Sequence, residues 1–204
     1  LDFSKIDAGH MSLESAPFRL DAILTHLGTT MGLQARDHGV TLTLVADPEL
    51  PEWLMGDSLR LGQVLGNLVS NAIKFTPRGG SVWLRARQTS QDQARPDQSS
   101  SRCRIHFEVE DTGIGMSAEE LSRLFVPFTQ TDASISRRFG GTVLGLVICK
   151  KLLAFMGSDI EVSSTPGAGT CFRFGLELEA CLPAQLAASV MAPATDFRTM
   201  VEGL

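Results

Sequence analysis

Asn67 and Asn71 stand four residues apart in a stretch of strong helical pattern, so they share one helix face a turn apart. Lys74 follows three residues later, within reach of that face. An amide oxygen is a hard neutral donor for Mg2+, and a nearby ammonium offsets phosphate charge, so the trio suits a metal-phosphate site. The same amides would equally serve backbone or water at the rim of an apolar stripe. Farther on, Asp111-Thr112-Gly113-Ile114-Gly115 follows a strand pattern. A carboxylate there can accept from an exocyclic amine, and Gly113 and Gly115 let the backbone approach a ligand. Tight strand-to-loop turns use the same residue types. A third segment, Gly140-Gly141-Thr142-Val143-Leu144-Gly145-Leu146, opens a helix, where free N–H groups and the positive dipole end suit phosphate. A Rossmann dinucleotide turn is not the reading, because a long polar loop and not a strand precedes it.

These groups need a scaffold, and the patterning supplies one. Residues 12–19 alternate loosely around Pro17, as an edge strand would. Ile23, Leu24, Leu27 and Met31 follow helical spacing up to Gly39, and residues 40–45 read as a strand. The strongest helix begins at an Asp57 or Ser58 cap and carries Leu61, Val64, Leu65, Leu68, Val69, Ala72 and Ile73 as one wide stripe. Pro77 and Gly79-Gly80 stop it. Strands are expected at 81–87 and 104–110, joined by a polar hairpin loop over 88–101. Ser117-Ala118-Glu119-Glu120 is a capping box. A long loop around 129–142 has the character of a lid, a helix follows over 144–155, and two strands near 160–163 and 170–178 flank a Pro166-Gly167-Ala168-Gly169 turn. This order lacks regular βαβ alternation, which points to an antiparallel-leaning sheet with helices on one face.

The 204 residues suffice for one domain with short appendages, and 43% hydrophobic with 20% charged residues is ordinary for a globular chain. No apolar run reaches the roughly 18 residues of a membrane helix. Residues 1–5 do not read as a signal peptide, and the missing initiator Met suggests a piece of a longer protein. A net charge of -5 gives no global attraction to nucleic acid or anionic lipid, so any anionic ligand is held locally. Cys103, Cys149, Cys171 and Cys181 form no C-x-x-C pair and no metal spacing with histidine, which suits reduced thiols in the cytosol.

In order and spacing the segments resemble the ATP-binding catalytic domain of bacterial sensor histidine kinases, a resemblance that covers roughly residues 1–178. Leu1-Asp2-Phe3-Ser4-Lys5-Ile6-Asp7-Ala8-Gly9 looks like the end of the dimerisation helix of hybrid-type kinases. Asp57 through Asn67, Asn71 and Lys74-Phe75-Thr76 is similar to the N box, and Glu110 to Gly115 to the G1 box. Leu124-Phe125-Val126-Pro127-Phe128 resembles the F box, Gly140 to Leu146 the G2 box, and Ser164 to Thr170 the last glycine turn.

The resemblance implies an α/β (α+β) two-layer sandwich of the Bergerat type, related to gyrase, heat-shock chaperone and mismatch-repair ATPases. It divides the chain into the end of a dimerisation helix (1–10), the catalytic domain (11–179, lid about 128–142) and a linker or tail (180–204). The cofactors implied are ATP and Mg2+. Asp111 is expected to accept the adenine amino group, with Gly113 and Gly115 shaping the pocket and Phe75 beside the base. Asn71 is the expected metal ligand, Asn67 lies beside it on the phosphates, and Lys74 meets the phosphate chain. Gly141, Thr142, Val143, Leu144, Gly145 and Thr170 complete the nucleotide site. Phe128, with Phe125, is expected to anchor the lid, from which Arg137 and Arg138 would reach the γ-phosphate. Such a domain hands the γ-phosphoryl group to a histidine of its own dimerisation domain in a homodimeric parent, which then serves a response-regulator receiver domain. No nucleic-acid partner is implied, and the fragment is expected in the cytoplasm, with a parent that can be anchored in the inner membrane. Gyrase-like relatives use a glutamate where Asn67 stands.

Two features depart from that pattern. His10, His26, His38 and His106 all lack the acidic-x-basic-Thr/Asn-Pro context of the phosphoacceptor, which is therefore expected upstream of Leu1. Val143 stands where the G2 box usually has glycine. If the position required φ > 0, valine would be strongly disfavoured there, and its side chain would crowd phosphates. The alternative reading is then a nucleotide-binding regulatory module with impaired catalysis.

Overall fold

The computed structural model describes residues 13–91, 101–126 and 142–181, with only the backbone described at 90, 91, 101 and 142–144. The expected dimerisation-helix segment, most of the expected lid with Phe128, Arg137, Arg138 and Gly141, and the tail from 182 lie outside the described residues.

Alternation builds the sheet. Val82, Leu84 and Ala86 are buried on one face of β4 (Ser81–Gln91), as are Cys103, Ile105, Phe107 and Val109 on β5 (Ser101–Asp111). Phe172, Phe174, Leu176 and Leu178 do the same on β7 (Gly169–Ala180), so a period of two directs one face of each strand inward. Phe107 and Phe174, opposite each other across β5 and β7, stack with ring centroids 5.0 Å apart. The remaining strands are β1 (Ala16–Phe18), β2 (Thr41–Ala46), β3 (Leu54–Gly56) and β6 (Ile160–Thr165). The seven-stranded order is β1-β3-β7-β5-β4-β2, with β6 beside the first half of β7. All pairs are antiparallel except β2 with β4, whose parallel pairing needs the crossover that β3 and the following helix supply.

The helices α1 (Leu20–His38), α2 (Ser58–Phe75) and α4 (Thr142–Phe155) cover the inward face; the short α3 (Ala118–Arg123) follows β5. Every residue of the expected α2 stripe is buried, and α2 packs against α1 and α4 while resting on β4 and β5. Asp57 caps it: Oδ1 accepts from Arg60 N at 3.0 Å, and Oδ2 accepts from Glu14 N at 3.2 Å. The Ser117–Glu120 capping box is formed. The outer sheet face is polar. Arg85 donates to Glu108 and Glu110, both at 2.6 Å, and Arg173 donates to Glu108 at 2.8 Å. The fold is thus the two-layer, mostly antiparallel α+β arrangement that the element order predicts. Among the described residues no helix is long and apolar enough to cross a membrane.

Elements and their boundaries differ from expectation in several places. β3 is absent from the sequence reading, because three residues hold no period; its pairing with β1 and β7 makes it a strand. The 88–101 loop is shorter than expected. β4 runs to Gln91 and β5 starts at Ser101, because β7 extends to Ala180 and keeps the ladder paired. α4 starts at Thr142, two residues before Leu144.

Candidate functional site

The site is built where β5 ends. Asp111 is only 6% exposed, and its Oδ1 accepts from Gly113 N at 2.7 Å and from Thr170 N at 3.2 Å. No described residue donates to Oδ2. Burial pushes the carboxyl above the ordinary aspartate range, and neighbouring Glu110 adds to this, against the two backbone N–H groups that favour the charged form.

The backbone around this carboxylate is packed too closely for side chains. A methyl added to Gly113 would lie 2.6 Å from Asp111 Oδ1 and 2.6 Å from the Phe75 carbonyl oxygen. Gly115 (φ 64) would bring one onto the Thr165 carbonyl, and Gly169 (φ 104) one onto the Asp111 carbonyl. Both positive φ values favour glycine independently. Hydrogen bonds strap the same turns together. Ile114 N donates to Phe75 O at 3.2 Å, and Gly167 N to Ile114 O at 2.7 Å. Met116 N donates to Ser164 Oγ at 2.8 Å, and that hydroxyl donates to Gly169 O at 2.8 Å. The β5 turn, the end of α2 and the β6–β7 turn therefore form one unit around Asp111.

From this unit α2 leads to α4. Phe75, Asn71 and Asn67 follow each other at intervals of four on α2, in one row. Lys74 is exposed at the helix end, with its Nζ 5.3 Å from the Phe75 ring centroid. Asn71 carries a buried Nδ2 with no hydrogen-bond partner among the described residues. Asn67 faces Gly145: a methyl there would lie 3.6 Å from Asn67 Oδ1. Of the expected residues, Asp111, Gly113, Gly115, Thr170 and Phe75 are thus gathered at one end, and Asn67 with Gly145 at the other, with Asn71 between them along α2.

Val143 corrects one premise. It lies in the first turn of α4 with helical backbone, and among the described residues every positive φ belongs to glycine. The strain foreseen for a left-handed valine does not arise. Sequence reasoning missed Ser164, which ties Met116, Gly169 and Thr170 together, the hydroxyl pair with Thr170 being 2.9 Å apart.

This seven-stranded, mostly antiparallel sheet under helices is the fold of histidine kinase ATPase domains. The chain belongs to the family described as histidine kinase-, DNA gyrase B- and HSP90-like ATPases, whose model matches residues 56–180. It is 44% identical over 179 residues to the signal transduction histidine-protein kinase BarA of Escherichia coli, covering 88% of this chain. It is 43% identical over 178 residues to the sensor protein GacS of Pseudomonas syringae, covering 87% of this chain. The chain spans 19% of the length of each of these relatives. Among solved structures it is similar to full-length ShkA in complex with AMPPNP, with a TM-score of 0.68 and 31% identity, covering 89% of this chain and 35% of that one. The catalytic domain of histidine kinase ThkA shares the fold at a TM-score of 0.61 and 22% identity, covering 80% of this chain and 95% of that one.

Proposed function

We propose that this chain binds ATP with Mg2+ and hands the γ-phosphoryl group to a histidine on a separate dimerisation domain, as part of a two-component signalling kinase. The observation that carries this reading is Asp111. Its Oδ1 is consumed by two backbone N–H groups, so Oδ2 remains to accept from the amino group of adenine, in surroundings too tight for further side chains. Phe75 and the Gly113–Gly115 backbone then line the base.

The amide row of α2 leads from the base toward the start of α4, where the phosphates would meet free helix N–H groups. An amide whose buried nitrogen has no partner is costly unless a polar group comes to it, and its two ends interchange by a flip. Asn71 therefore fits as the residue that would hold Mg2+, beside Asn67. Bound Mg2+ supplies neutralisation of the phosphate oxygens during transfer. Lys74 adds positive charge at the helix end. Because the nucleophile is an imidazole from another domain, this chain needs no base to activate water, and Asn67 cannot act as one. The gyrase-like alternative, an autonomous ATPase, is disfavoured on that ground. A response-regulator receiver domain and a homodimeric parent complete the proposal.

A second reading, a regulatory module that binds nucleotide without transferring it, rests on Val143. Its helical backbone removes the argument from strain and leaves crowding of the phosphates as the remaining ground. The test mixes Mg-ATP labelled at the γ-phosphate with this chain and a separately made dimerisation domain. Histidine labelling is expected; binding without labelling would favour the second reading, and no binding would defeat both.

A further inference from the structure

β2 is an edge strand, and it lacks the features that blunt the other edges of the sheet. β1, at the opposite end of the strand order, has three residues and contains Pro17, and β6 carries the exposed Glu161. β2 has six residues, Thr41-Leu42-Thr43-Leu44-Val45-Ala46, with no charge, no proline and no shift in its register with β4. Val45 is 49% exposed, and Thr41 and Ala46 are exposed as well.

The direction of the free backbone groups follows from the pairing with β4. Thr41 N donates to Gly80 O and Asp47 N to Ala86 O, both at 2.9 Å, so the odd-numbered residues bond β4. The N–H and C=O groups of Leu42, Leu44 and Ala46 then point away from the sheet, and among the described residues nothing bonds them. An antiparallel second copy of β2 matches them about a two-fold axis at Leu44. Leu44 then meets Leu44 of the second copy and Leu42 meets its Ala46, each pair exchanging two N–H···O bonds. That ladder stops where donors run out: Val40 N is taken by Ala35 O at 2.9 Å, and Pro48, which would lie opposite, has no N–H.

Charge suits the same two-fold. Arg36, in the last turn of α1, and Arg78, packed on Gly39, are exposed where β2 begins. Asp47 and Glu49 lie where it ends. Asp37 at the first end and Arg87 beside the second offset part of these charges and leave both signs in place. Among the described residues none of Arg36, Arg78, Asp47 and Glu49 takes part in an ion pair. Antiparallel pairing brings the arginine end of one copy to the carboxylate end of the other, at both ends of the ladder; a parallel copy would set like charge against like. We propose that the β2 edge is a self-association surface, at which two copies of this chain join their sheets antiparallel through Leu42, Leu44 and Ala46. The contact is separate from the nucleotide site and from any dimerisation domain.

The test runs the whole 204-residue chain in sedimentation velocity over a concentration series, with amide hydrogen exchange read by NMR at both ends of the series. A monomer–dimer equilibrium that weakens with salt is expected. Exchange at Leu42, Leu44 and Ala46 should slow as dimer forms, whereas Thr43 and Val45, bonded to β4, should be slow throughout. Val45→Lys sets like charges near each other across the two-fold and is expected to lower the association constant about tenfold. Val45→Thr, which keeps a β-branched side chain, should retain it, and thermal melting checks that both forms are folded. A chain that stays monomeric, or a dimer in which the amides of Leu42, Leu44 and Ala46 exchange as fast as in the monomer, overturns the proposal. So does an undiminished dimer in folded Val45→Lys. Protection of those amides already complete in the monomer assigns the edge to another segment of this chain and overturns it too.

Discussion

Asp111 concentrates the chemistry of the site into one side chain. It is a buried carboxylate whose Oδ1 is tied to the backbone at 2.7 and 3.2 Å, which orients Oδ2. Asp111→Asn keeps the shape and relieves the buried charge, but an amide nitrogen at the Oδ2 position sets donor against donor. We expect ATP affinity to fall at least about tenfold, the cost of an unmatched polar pair, with little loss of thermal stability. Calorimetry and thermal melting of the same sample check both halves. Gly169 tests the scaffold under that carboxylate. Its φ of 104 and the Asp111 carbonyl beneath it leave no room for a side chain, so Gly169→Ala should destabilise by about 2 kcal/mol or more in denaturant unfolding.

At the scale of elements, α2 is held at both ends. Asp57 caps its start and also accepts from Glu14 N, which ties the incoming chain to the helix that carries the amides. Asp57→Ala is expected to cost about 1–2 kcal/mol in denaturant unfolding. Asp57→Ser should recover the cap and leave the Glu14 tie unmade, so a partial recovery is the expected result. At α4 the question is Val143. With a helical backbone there, Val143→Gly should weaken the helix by about 0.5–1 kcal/mol. If the valine side chain crowds the phosphates, the glycine form should bind ATP more tightly despite that loss; equal affinity by calorimetry would dismiss the crowding.

Across the whole molecule, two carboxylates respond to acid in opposite senses. Burial alone would raise Glu108, but hydrogen bonds and charge from Arg173 and Arg85 bring it below the ordinary glutamate range. Its contribution is therefore present above the unfolded-state value and lost as pH falls through the lower folded value. Asp111, raised by burial, contributes in the other direction: its share is present below the unfolded value and lost as pH rises through the folded one. Glu108→Gln should lower stability at neutral pH by about 1 kcal/mol, given its half-exposed partners. The difference from the unsubstituted protein should close as the solution becomes more acidic than the normal carboxylate range. Urea unfolding at a series of pH values reads both the size and the direction.

Local pattern determined much of this molecule. The α2 stripe, the Asp57 cap, the Ser117–Glu120 capping box and the alternation of β4, β5 and β7 follow from residue type and periodicity, which act within a few residues of chain. The tight glycines of the Asp111 turn were legible for the same reason. Tertiary structure alone decided the rest. β3 is a strand only because β1 and β7 flank it, and the hairpin strands run longer because β7 does. That Gly113 meets Phe75, that Thr170 N reaches Asp111, and that Cys149 meets Val64 depend on contacts between residues 38, 59 and 85 positions apart. Such contacts arise from the packing of whole elements, and no local propensity encodes them.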